Sequence, residues 1–416
     1  MREYELPGGV EILMPDDASN AELILLPALK ALRSPRGDLR LTQKYLDGVA
    51  MFARYWPGPV TSLVEITKQP STEMDLVEVD LTDGFEIRPA NPARLVRRLR
   101  RGAVALGFLT ARELGLVGAC RLARLPLVMT SEYTLSTEMQ IVDGENLWKP
   151  RALKRKAWLW RHDLVRQRIV PAIEGLQCSG TPTYEAYRDA QPNTLLFFDN
   201  RVRVDDVVGE EELDRKLTRL ATSRGPLRLI FGGRFVAMKG VLELPKVASE
   251  LVRRGVDFTL EIVGDGPLAG ALRAAIDAAG LGARVRVTPP LDFRSGWVPK
   301  LKAEADLFLC CHTQGDPSST YPEVMSCGVP IVGYANEAFL GIVRHSEAGW
   351  SAPLFDVAGL ADHVERLTRD RQALVDAARR ARAFAVRHAF EKTFRRRAEH
   401  LLATSGLAPN SAEPSV

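Results

Sequence analysis

Two cations stand five positions apart in the string Gly232-Gly233-Arg234-Phe235-Val236-Ala237-Met238-Lys239-Gly240, directly after the apolar run LRLIF. A guanidinium is a planar fork that grips two phosphate oxygens at once, whereas an ammonium is a mobile point charge. Where a strand gives way to a helix, with glycine amides beside them, Arg234 and Lys239 suit a phosphate or a departing diphosphate. The plainer reading is a glycine-rich turn with two solvated cations. A second apolar run ends in Gly264-Asp265-Gly266-Pro267. There Gly264 and Gly266 permit close backbone approach, and Pro267 suits the first turn of a helix.

The stretch from His312 to Glu323, HTQGDPSSTYPE, follows the apolar run DLFLCC. Asp316, Ser318, Ser319 and Thr320 are helix-capping types, so a helix should run from Tyr321 to Cys327, with free amides at its start and Glu323 about one turn inside. A carboxylate placed there accepts hydrogen bonds from hydroxyls. The structural alternative makes Asp316 the N-cap and Glu323 its capping-box partner. Of six histidines only His312 falls at this candidate site, either as a ligand group or as a satisfied loop residue. Neither a D-x-D nor an H-x3-H pattern occurs, so nothing argues for a metal, and no cofactor is expected.

These segments need a scaffold that brings strand ends together. The chain has 416 residues, 46% hydrophobic and 26% charged, enough for two large domains and against wholesale disorder. VTSLVEI, AVALGFL, LPLVMTS and IEGLQC are short apolar runs separated by longer segments of helical period, and the alternation restarts with LRLIFGG, FTLEIVG, RVRVT, DLFLCC and PIVGYA. That pattern predicts an α/β protein of two tandem, doubly wound, Rossmann-like domains with parallel sheets. VEILMP at 10–15 reads as the first strand, DDASN as a capping loop, and LILLPALKAL as a helix. We place the first domain at 1–205, a linker at 206–226, the second domain at 227–390, and a last helix with a mobile tail at 391–416.

The net charge, 56 − 52 = +4, is too small to imply nucleic-acid binding. Five cysteines without C-x-x-C spacing fit a reducing cytoplasm, and the opening MREYELPGG lacks the basic start of a signal peptide. No apolar stretch is long enough to span a membrane. The segment 149–168 sets Leu153, Ala157, Trp160 and Leu164 at helical spacing among many cations. It predicts either a core helix with a solvated charged face or a surface that docks on an anionic bilayer.

Taken in order, GGRFVAMKG, IVGDGPL and DPSSTYPEVMSCGVPIVGYAN resemble the donor half of retaining GT-B glycosyltransferases, glycosyltransferase family 4, over roughly residues 227–390. The resemblance implies that Arg234 and Lys239 contact the diphosphate of a nucleotide-sugar donor, and that Glu323, as the second Glu of the E-x7-E motif, binds the ribose. Gly232, Gly233, Gly264, Gly266, His312 and residues 316–320 would complete the donor site. Gly315 stands where the family has its first Glu. The sugar is then met by Asp316, one place on, or by the amides of 317–320. Pro289 stands where a glycine commonly precedes the base-binding loop.

In the first half, DDASN replaces the family's Gly-Gly loop, which would set Asp16 and Asp17 near the acceptor. Glu132 falls where the family keeps a catalytic-centre histidine. The last helix would cross back to the first domain. The implied reaction is metal-independent transfer to a hydroxyl of a saccharide or lipid-linked saccharide. A nucleotide-sugar epimerase or hydrolase, or a catalytically silent subunit on the same frame, are the alternatives.

Overall fold

A computed structural model describes all residues except 1, 7–9, 15–17, 35–36, 70–75, 82–83, 146 and 408–416, with side chains from residue 18 onward. Asp16, Asp17 and the tail beyond 407 therefore lie outside the described residues.

The first sheet carries, in spatial order, Thr194–Phe197, Gly175–Ser179, Leu127–Ser131, Gly102–Phe108, Glu22–Leu25 and Val60–Thr67, all parallel. Beyond Val60–Thr67 the sheet continues through Lys30–Arg33, Leu39–Thr42 and Leu76–Val79, the last two antiparallel. Two sequence expectations are corrected here. Val10–Met14 is a strand, but it pairs antiparallel with Arg2–Leu6 in a separate ribbon. The expected helix over LILLPALKAL is instead the strand Glu22–Leu25, a loop at 26–29 and the strand Lys30–Arg33. Leu23, Ile24 and Leu25 form an unbroken apolar run at 4% exposure or less, which is the pattern of a central parallel strand, and Pro27 cannot continue a helix.

The second sheet is wholly parallel. Its order is Val285–Thr288, Phe258–Val263, Leu227–Gly232, Leu307–Cys310, Ile331–Tyr334 and Gly349–Ala352. Numbered along the chain this is 3-2-1-4-5-6, which reverses direction between Leu227–Gly232 and Leu307–Cys310. A ligand crevice opens at such a switch point. Phe231, Phe235, Phe258 and Phe308 are fully buried in this domain's core, each contributing about 1.5–3 kcal/mol by leaving water.

The linker expected at 206–226 is shorter than its sequence suggested. The helix Glu210–Thr222 belongs to the second domain, where Leu213, Leu217 and Leu220 pack on Val375 and Ala378. Its charge density misled because only one stripe is apolar; even Lys216 on that stripe is buried, donating to the carbonyls of Leu301 and Cys327. The chain crosses between domains near residue 200 and again near 389. The two crossings are tied together: Asn200 Nδ2 donates to His388 O (2.9 Å) and the Phe390 amide to Val202 O (2.8 Å). The helix Phe390–Ser405 then packs Phe394, Ala398, Leu401 and Leu402 against the first domain's Phe52 and Leu106.

Candidate functional site

The strand Leu227–Gly232 delivers a short helical turn, Ala237–Lys239, to the switch point. Gly240 closes that turn at φ 60°, and a Cβ there would stand 1.7 Å from the carbonyl oxygen of Cys311. Only glycine lets the turn close over the end of Leu307–Cys310. The approach places Lys239 Nζ 3.1 Å from Asp316 Oδ2 and 3.0 Å from Ser318 Oγ. Ser318 Oγ in turn donates to Thr320 Oγ1.

Asp316 is not an N-cap. The helix Thr320–Met325 starts after Ser319 without a side-chain cap, and the Asp316 carboxylate is held by Lys239 on one oxygen and by the Tyr133 hydroxyl (3.5 Å) on the other. Nor is Glu323 a capping-box partner. It is buried, and its Oε1 accepts from Arg201 Nε at 3.2 Å, while the Arg201 guanidinium lies 4.3 Å over the ring of Phe293.

Gly315 is used as a domain contact. Its amide donates to Gln140 Oε1 (2.9 Å), its carbonyl accepts from Thr137 Oγ1, and a Cβ on it would meet Thr137 Oγ1 at 3.2 Å and Glu337 Oε2 at 3.3 Å. Space that a larger side chain would need is taken up by Thr137 of the first domain and Glu337 of the second.

His312 is buried, with Nδ1 3.3 Å from the Tyr321 hydroxyl and Nε2 lacking a protein partner. Burial, and then the nearby Lys239, hold its pKa well below the usual imidazole value, so it is neutral and cannot serve as a cation toward phosphate. Arg234 is exposed at the mouth of the same turn, and Pro289 is exposed just after the strand Val285–Thr288. At Gly264, φ is 149° and a Cβ would lie 2.0 Å from the Gly233 carbonyl oxygen, so the turns at 233 and 264 interlock. Gly266 abuts the Phe235 backbone in the same way, and Gly232 lies against the ring of Trp297.

Across the cleft, Glu132 follows the strand Leu127–Ser131. Burial, then the charges of Asp199 and Asp316, push its carboxyl up to about 7, against the pull of Lys44 and Tyr133. Lys44 forms an ion pair with Asp199 at 2.5 Å. A carboxyl near neutrality can take up a proton from a hydroxyl and give it back. Glu132 lines two cavities on the first domain's face, of about 660 and about 390 Å3, which also share the loop Pro27–Leu29. Among the described residues no three His, Cys, Asp or Glu side chains group closely enough to hold a metal ion.

The structure thus links Lys239, Asp316, Ser318 and Thr320 by hydrogen bonds, and Tyr133 joins that group to Glu132. Sequence reasoning missed Tyr133, Lys44, Asp199, Gln140 and Arg201. Only Tyr133, next to Glu132, had a signal; the others arrive from distant elements.

Residues 214–384 match the family model Glycosyl transferases group 1. The chain is 30% identical over 142 residues to the alpha-D-kanosaminyltransferase of Streptomyces kanamyceticus, covering 34% of this chain and 36% of that protein. It is 29% identical over 174 residues to the 2-deoxystreptamine N-acetyl-D-glucosaminyltransferase of Niallia circulans, covering 40% and 44%. The matched region therefore spans less than half the length of these relatives. Anabaena Alr3699/HepE in complex with UDP superposes with a TM-score of 0.61 at 17% identity, over 92% of this chain and 100% of that one. Residues 214–384 accordingly resemble a Glycosyl transferases group 1 domain, carried in a chain whose two-domain fold is GT-B.

Proposed function

We propose that the protein is a retaining glycosyltransferase. It moves a sugar from a nucleoside-diphosphate sugar to a hydroxyl of a saccharide or lipid-linked saccharide acceptor in the synthesis of surface glycans. The observation that carries this reading is Lys239, an ammonium held at the second sheet's switch point by Asp316 and Ser318 with Glu323 in the following helix. The match over residues 214–384 and the UDP complex of the HepE neighbour support a nucleotide-linked donor.

In the proposed reaction the bond from sugar to diphosphate breaks as negative charge grows on the leaving oxygen. Lys239, Arg234 and the amides of 317–320 stabilise that charge more than the ground state, without a metal. Asp316 faces the sugar, Glu323 the ribose, and Glu132 the acceptor hydroxyl. Closure about the paired crossings near 200 and 389 excludes water.

The enzyme works in the cytoplasm, at the inner face of the membrane. The helix Lys149–Ile169 buries Leu159 and Ile169 but leaves Leu153, Trp160 and Leu164 on its solvent side at 71%, 55% and 37% exposure, among Lys154, Arg161 and Arg168. That face fits a layer of anionic headgroups.

A thermal-shift panel of UDP, GDP, ADP and dTDP tests the donor reading. At 100 times its dissociation constant the right nucleotide adds about 2.7 kcal/mol of stability. No shift with any of the four would refute it. A parallel incubation with nucleotide sugar alone separates transfer from epimerisation or hydrolysis.

A further inference from the structure

The larger first-domain cavity contains a cation with no ionic partner. Arg397, on the helix Phe390–Ser405, is 8% exposed. Its Nε donates to Gln177 Oε1 at 2.8 Å and its Nη2 to Thr130 Oγ1 at 3.3 Å, which occupies two of five N–H groups. The rings of Phe197, Phe394 and Phe52 stand 4.4, 4.9 and 5.2 Å from the guanidinium carbon. No carboxylate among the described residues lies within ion-pair distance of it; the nearest acid to act on it is Asp199, which is paired with Lys44. Arg397, Thr130 and the three phenylalanines all line the cavity of about 660 Å3.

Buried charges in folded proteins are normally paired, because desolvation of a lone ion is costly. Here the aromatic faces offset part of that cost, and the open N–H groups face a space the size of a small-molecule pocket. Leu25, Leu29, Val49, Leu106 and Phe108 give the cavity an apolar wall, and its polar lining includes the Lys44–Asp199 ion pair, Thr42, Tyr45 and Ser179. Glu132 sits at the same cavity two residues beyond Thr130, about 7 Å along extended chain toward the second domain.

We propose that this cavity binds the part of the acceptor where an anionic group adjoins an apolar segment, with Arg397 on the anion and the receiving hydroxyl at Glu132. The proposal rests on the transferase reading and narrows its acceptor. A phosphate attached to a lipid and the carboxylate of an amphipathic hydroxy acid share this chemistry. An unsubstituted neutral oligosaccharide does not.

Calorimetry on the full chain with octyl phosphate, octanoate and octanol, below micelle-forming concentrations, tests it. A charged hydrogen bond in a buried site corresponds to about a tenfold to hundredfold preference for the anions over octanol. Arg397→Met should remove that preference while leaving UDP affinity unchanged. Stronger binding of octyl phosphate identifies the lipid-phosphate source, and stronger binding of octanoate the hydroxy acid. Octanol binding as tightly as both anions to the unmodified protein would overturn the proposal, as would an intact preference in Arg397→Met; the first readout needs no variant to fold. Failure of UDP to bind would instead strike at the transferase reading, because the octyl series reports on the first domain alone.

Discussion

Lys239 of the second domain and Tyr133 of the first grip opposite oxygens of one carboxylate, that of Asp316. The bridge joins the strand end that carries Lys239 to the strand end that carries Glu132. A ligand entering between them must compete for the same ammonium. The contact thus links the proposed donor site to the approach of the two domains.

Lys239→Ala should weaken binding of the cognate nucleoside diphosphate and slow transfer about 10² to 10³ fold, the usual loss for one group that stabilises leaving-group charge. Asp316→Asn should behave differently, because it loosens the hold on the ammonium while removing the carboxylate proposed to face the sugar. Transfer should fall more than affinity for the bare diphosphate. Calorimetry for the nucleotide and initial rates for transfer separate the two. Equal turnover in Asp316→Asn and the parent protein would reduce Asp316 to a structural bridge.

Gly315 invites the reverse experiment. Writing in the family's acid as Gly315→Glu should lower activity, since the new Cβ meets Thr137 at 3.2 Å and its carboxylate joins Glu337 in the same space. Glu337→Ala in the same chain should recover part of the loss, with a coupling of at least about 0.5 kcal/mol in a double-mutant cycle of thermal stabilities. Additive losses would show that the two positions do not share that space.

The second domain was the more legible in the sequence because most of its strands are compact apolar runs with the candidate site residues just after them; the partly exposed strand Gly349–Ala352, GWSA, was not foreseen. Arg234, Lys239, Asp316 and Glu323 could be named from local spacing. The first domain was harder. LILLPALKAL contains as many apolar residues as an amphipathic helix, and only Pro27 hinted that the run was a buried strand followed by a loop. The contacts of Tyr133 and Gln140 with Asp316 and Gly315 depend on the packing of one domain on the other, and Lys44 meets Asp199 from a distant element of its own domain, pairings that no local pattern encodes. The apolar stripe on 149–168 was visible, but which side of it faced water depended on tertiary burial.

That orientation makes a membrane experiment decisive. Leu153 and Trp160 are more than half exposed on a strongly basic helix, so the protein should bind anionic liposomes at low salt and release as the screening length shrinks below about 10 Å near 0.1 M. Trp160→Glu should cut the bound fraction in a flotation assay without changing the melting temperature, because Trp160 packs on the solvent side. Equal binding to neutral and anionic vesicles would leave the cations without a role there.

Glu132 provides a test that needs no substrate. Its carboxyl titrates at about 7 in the folded protein against 4.5 for an ordinary one. Below about pH 4.5 the group is protonated in both states and contributes no pH dependence. Between about 4.5 and 7 the folded state holds the proton more tightly than the unfolded one, so stability falls as pH rises. Partial contact with the cavity limits the total to about 2–3 kcal/mol. Glu132→Gln cannot ionise, so its stability relative to the parent should grow across that window and level off above about pH 7, as read from denaturant midpoints at matched ionic strength. A constant difference between the two proteins from pH 4.5 to 8 would mean that Glu132 keeps an ordinary carboxylate pKa. It would then be a fixed anion beside Lys44 at physiological pH, unable to exchange a proton with an acceptor hydroxyl.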